Sequence, residues 1–388
     1  MSLSYENWDV RVHSAEAWIS LAPRFASENP EIIDQIETFL YDPVAAVRLQ
    51  VAQNLQVICI AAPDRMWALG KHIATHESDP MVLTSYLDRS MRRFSHDEPD
   101  RCETILSIVR DRMGNDLQRE GEGRDYLQES FGGWLAQLYA GQGRPRMRIW
   151  LEEWASDPKG HRLLINAYTS SMRGAFFNRY AKDAEIGACE MCDRAQNGLT
   201  AILRPAFKAS QNAYAVLSSE ADEAAKKVAS EQYRAAEQVI HHAMNQLYFG
   251  SGAHADGEGT LGLPDRNGMA RFLADYAEIL ALLATSREPA TLHQLIKLYE
   301  FLIPCKPEAV FGAIYTILLG HGEAEGYHFE SLGSAAVVRI IRRYIADHRA
   351  IFEDEMRRAK LVQILQLFSE VGWTDALRLL YDLPDLLR

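Results

Sequence analysis

Apolar residues recur at every third or fourth position along nearly the whole chain, and runs alternating β-branched with polar residues between turn signals are essentially missing. That pattern predicts an all-α protein. Ile32, Ile33, Ile36, Phe39 and Leu40 make one stripe that ends at Asp42-Pro43; Val44, Val47, Val51, Leu55 and Ile58 begin the next. Asp before Pro suits a first helical turn, because the carboxylate can cap free amides and Pro has no donor to lose. The two stripes read as one helical hairpin. Val10-Arg11-x-x-x-Ala15-x-x-Trp18 recurs as Val47-Arg48-x-x-x-Ala52-x-x-Leu55, and Asp42-Pro43 recurs as Asp79-Pro80, all at a displacement of 37 residues. A fixed period in this range means stacked helical hairpins.

Asp42, followed by Val47 and Arg48 five and six positions later, resembles the HEAT repeat, whose units carry an Asp in the turn and then Val and Arg at that spacing. The resemblance implies an α-solenoid of HEAT-like antiparallel helical hairpins. It also implies that Arg11 and Arg48 are structural, each laddering with the turn Asp of a neighbouring unit, and that Val10 and Val47 hold equivalent places. The third unit departs from the pattern: Thr84 and Ser85 replace Val and Arg, and Arg89 falls where Ala would pack. An intervening pair is expected on Ile105, Ile108 and Val109, then Phe131, Trp134, Leu135 and Leu138. Because the repeat already runs at Val10, and because HEAT-like regions often follow nucleotide-hydrolysing modules in bacterial signalling and defence proteins, such a module is expected upstream of Met1.

Past residue 200 the texture changes. From Gln211 to Phe249 there is neither Pro nor Gly, while Tyr214, Leu217, Ala221, Ala224 and Val228 keep helical spacing. Unbroken, that stretch would be about 58 Å long at about 1.5 Å per residue; an unmarked break would make it two helices. Gly250 to Pro264 predicts a flexible loop. Breaks near Glu288-Pro289, Pro304 to Pro307, Gly320 to Gly326 and Gly372 divide the remainder into about six helices. The expected organisation is therefore a HEAT-like solenoid over 1–205, a long central helix or strut over 206–249, a glycine-rich loop over 250–264 and a second helical segment over 265–388.

Composition narrows the class without naming a task. A hydrophobic fraction of 47% with 24% charged residues describes a folded chain, and no apolar run approaches the roughly 20 residues that a membrane helix needs. No membrane partner is expected. Five cysteines, odd in number and set in helix-like patterns, favour reduced thiols and a cytoplasmic location. Cys189-x-x-Cys192 has no second pair to complete a zinc site and no βαβ setting for redox chemistry, so it reads as structural. The glycine-rich loop lacks the Gly-Lys-Ser/Thr ending of a phosphate loop and follows a helix; its His254, Asp256 and Glu258 read as exposed polar groups. No catalytic motif, metal set or cofactor is expected.

One cluster breaks the acidic balance of -12. On a continuous helix, Arg339, Arg342, Arg343, Arg349, Arg357 and Lys360 would share an arc of about 120°, opposite Val337, Ile340, Ile341, Tyr344, Ile345, Ile351 and Phe352. Seven Lys/Arg against four Asp/Glu between residues 331 and 360 give a local +3. The leading expectation is a non-catalytic scaffold or sensor that binds a protein partner through a helical surface. The alternative is a nucleic-acid-binding HEAT-like protein that uses this basic face.

Overall fold

The computed structural model describes residues 10–114, 117, 121, 123–181, 184, 186–255, 262–324, 326–327 and 331–386. Among them every regular element is helical, as the apolar periodicity requires. The chain packs as two compact units. Of the described residues, those up to Trp150 together with Leu163–Ser171 form one, and Leu151–Arg162 with Met172 onwards form the other.

The first unit is built from α1 (Val10–Phe25), α2 (Glu31–Phe39), α3 (Ala45–Asn54), α4 (Pro63–His76), α5 (Pro80–Ser85), α6 (Pro99–Met113) and α7 (Arg124–Leu135), with parts of α8 (Pro145–Ala155) and α9 (Arg162–Ser171). Pro opens α4, α5 and α6, where its missing N–H is one the helix would leave unpaired anyway. α1 lies on α3, α3 on α5 and α5 on α7, while α4 lies on α6. Val12, Ala15 and Val47 meet in the core between the first two of these. The expected pair on Ile105 and Phe131 is present as α6 and α7, with Ile105, Val109, Phe131, Trp134 and Leu135 buried.

Two repeat positions are not equivalent in place. Val47, on α3, is buried, whereas Val10, on α1, is exposed. In the third copy, a π-helical turn over Tyr86–Ser90 leaves Arg89 outside. Ser90 takes the buried place, its hydroxyl donating to the Ala52 carbonyl at 2.7 Å.

The second unit holds α10 (Ile186–Leu217), α11 (Glu223–Ser251), α12 (Arg266–Asp275), α13 (Ala277–Leu283), α14 (Pro289–Leu302), α15 (Pro307–Ile317), α16 (Ser331–Asp347), α17 (Glu355–Glu370) and α18 (Thr374–Leu386). The long helix expected over 206–249 is instead the end of α10 and most of α11, which run antiparallel with Ser210 against Glu237 and Tyr214 beside Tyr233. Polar side chains make the break without Pro or Gly: the Ser219 hydroxyl accepts from the Ala221 amide, and the Asp222 carboxylate accepts from Ala225 N at 2.7 Å, capping α11. Residue 205, expected as a boundary, lies inside α10.

Candidate functional site

The C-terminal turn of α11 carries two glycines that must be glycine. A Cβ on Gly250 would lie 2.4 Å from the Phe177 ring, and Gly252 ends the helix at φ 88°, a left-handed conformation that costs other residues steric strain. The turn that follows, Ala253–Ala255, approaches the edge formed by α14 and α16. Leu292, Leu295, Ile296, Leu298, Tyr299 and Leu302 bury the core stripe of α14, which leaves Lys297, Glu300 and Phe301 towards its border. On α16, Val337, Ile340, Ile341 and Tyr344 are buried, which turns Arg339 and Arg343 outward to the same border. Together with Tyr248 and His254 these side chains line an open cleft of about 650 Å³.

The cleft is cationic. Arg339 holds Glu300 by two bonds, Nε to Oε1 at 2.7 Å and Nη2 to Oε2 at 2.6 Å, and Arg343 Nη1 donates to the Glu300 backbone carbonyl at 3.0 Å. Lys297 is half-buried and makes no hydrogen bond or ion pair with a described residue. Among the described residues that line the cleft, Lys297, Arg339 and Arg343 stand with one carboxylate, that of Glu300. His293, one turn before Lys297, has its pKa held below the ordinary 6.5 first by burial and then by the Lys297 and Arg339 charges, with Glu300 opposing. His254 also borders a second recess of about 560 Å³, walled by Phe177, Phe249 and Pro264, with Arg173 at its edge bonded to Gln246 at 2.8 Å.

The six cations expected on one arc are divided, because the continuous helix is interrupted. α16 stops at Asp347, residues 349–353 form a 3₁₀ turn, and Asp354 starts α17 by accepting from Met356 N at 3.0 Å. Ile351 and Phe352 point inward at this junction, Phe352 packing edge-on against Phe311 at 5.2 Å, so the turn is held in place by the core. Arg339 and Arg343 enter the cleft, while Arg342 and Arg349 are exposed outside its lining. Arg357 lies 3.6 Å from Asp354, and the Lys360 ammonium sits 4.9 Å from the Tyr315 ring centroid. Asp256 and Glu258 lie outside the described residues. Lys297 was not among the expected residues, although it is the one Lys or Arg between Arg287 and Lys306.

Of the repeat positions, Arg11 meets the turn Asp that the resemblance implied, whereas Arg48 meets Glu77 in place of the expected Asp79. Arg11 Nη1 bonds Asp42 at 3.2 Å, and Arg48 forms a two-point pair with Glu77 at 2.8 Å on both branches. Arg48 also donates to the Asp42 carbonyl at 2.9 Å. Cys189 and Cys192 are free thiols on α10; Cys192 is buried, and burial pushes its pKa up, away from a reactive thiolate. Among the described residues no group of three His, Cys, Asp or Glu is placed to hold a metal ion, and no helix is long and apolar enough to cross a membrane. No protein-family model matches the chain, and no curated protein or solved structure matches it.

Proposed function

We propose that the chain is a non-catalytic scaffold or sensor that holds a protein partner on its helical surface, with the first unit a HEAT-like α-solenoid segment. The supporting observation is that arginines 37 residues apart each bind a carboxylate of the following segment, Arg11 that of Asp42 and Arg48 that of Glu77. Such a link fixes one hairpin against the next, and hairpins added at constant spacing present a row of side chains suited to recognition by shape. The division of the basic arc removes the continuous cationic stripe that a phosphate backbone would track, which favours a protein over a nucleic acid. A tagged chain used for affinity capture from its source cells, with and without nuclease, tests this. Recovery of one protein in constant ratio that survives nuclease is the expected result. Recovery of nucleic acid alone, released as salt is raised, would overturn it.

A further inference from the structure

We infer that the cleft between α11, α14 and α16 is a binding site for a small phosphorylated molecule whose diphosphate group sits on Lys297, Arg339 and Arg343. This goes beyond the scaffold reading and does not rest on it. Lys297 is held half-buried at the cleft wall without an ion-pair partner among the described residues. An ammonium in that setting has lost part of its hydration without gaining a counter-charge from a described residue, and an entering anion would supply one. Arg343 is pre-oriented by its bond to the Glu300 carbonyl, which leaves the rest of its guanidinium for a ligand. The volume, about 650 Å³, lies within the range of small-molecule sites, and the Phe301 and His254 rings offer faces for an organic part beyond the phosphates.

Glu300 gives the site an internal competitor. Its carboxylate occupies Arg339 through both oxygens, so a diphosphate must take Arg339 from Glu300 and tolerate the carboxylate nearby. Glu300 therefore weakens anion binding while it orders Arg339. Removing its charge strengthens binding, an effect opposite in sign to that of damaging the fold.

Titration calorimetry of the intact chain with inorganic pyrophosphate and, separately, with ADP tests the site and distinguishes free diphosphate from a nucleotide as the source. Binding of either, weakened about tenfold by Lys297→Met and falling with salt, is the expected result. Met keeps the apolar stem of Lys297 in place, and a thermal melt reports whether the variant folds; Arg339→Gln, at an exposed position, provides a second loss of charge with the same expected direction. Glu300→Gln is expected to tighten binding about three- to tenfold. The proposal is overturned if neither compound binds at about 1 mM, if binding is indifferent to Lys297→Met and Arg339→Gln, if Glu300→Gln weakens it, or if only a single-stranded oligonucleotide binds.

Discussion

Arg11 and Arg48 occupy the same repeat position but differ in what their loss would cost. The Arg48 side chain is 16% exposed and its partner Glu77 only 5%, whereas Arg11 is 47% exposed. Arg48→Ala strands a buried carboxylate and is expected to destabilise the chain by about 3 kcal/mol, while Arg11→Ala costs less than about 1 kcal/mol. Urea denaturation of the two variants side by side checks the contrast. The resemblance to HEAT units put the Arg11–Asp42 contact forward; it did not give the Arg48–Glu77 contact. Asp79, the residue that the resemblance puts forward, accepts from the amides of Met81 and Val82, while Arg48 pairs with Glu77 two residues earlier. Glu237 offers a second residue-scale test. It is buried on α11 between the hydroxyls of Ser210 and Ser286, and burial raises its pKa above the ordinary 4.5. A raised folded-state value means stability that is complete below pH 4.5 and is lost as pH rises through the folded value. Glu237→Gln is expected to flatten that decline, seen as a smaller loss of stability between mildly acidic and neutral pH than in the parent. Equal slopes in both proteins would remove Glu237 as the cause.

At the scale of elements, helix type was readable almost everywhere, because a buried face every three to four residues is a strong constraint. Breaks at Pro and Gly were readable too: Pro289, Pro307 and Gly372 all stand where helices begin or end. The two breaks that the sequence left open, at 218–222 and 348–354, are made by Ser and Asp side chains bonding to nearby amides, which compete with helix only once neighbouring elements hold the turn. Asp222→Ala removes the cap of α11 and is expected to cost about 1 kcal/mol without fusing α10 to α11, as followed by circular dichroism and thermal melting. Gly132 tests the packing of α7 on α9. A Cβ there would lie 2.2 Å from the Leu164 carbonyl oxygen and 2.7 Å from the Ala167 Cβ, so the helices would have to separate. Gly132→Ala is expected to destabilise by about 1–3 kcal/mol, although Ala is the better helix former. A neutral or stabilising result would show that this close approach carries no weight.

For the whole molecule, a net charge of -12 conceals where the cations are placed. The cleft joins Arg339 and Arg343, read from the basic run, to Lys297 and His254 from segments about 40 and 85 residues earlier, and only packing of α14 and α16 could bring them together. That is why the site was half legible: the charges were visible, their company was not. The repeat had wider reach, since each link in it joins neighbours along the chain. If the helices of the first unit form a surface for a protein partner, hydrogen exchange measured with the captured partner present and absent will show protection spread over several of α1 to α7. Protection confined to one turn, or none in any of these helices, would contradict a scaffold that acts through its stacked surface.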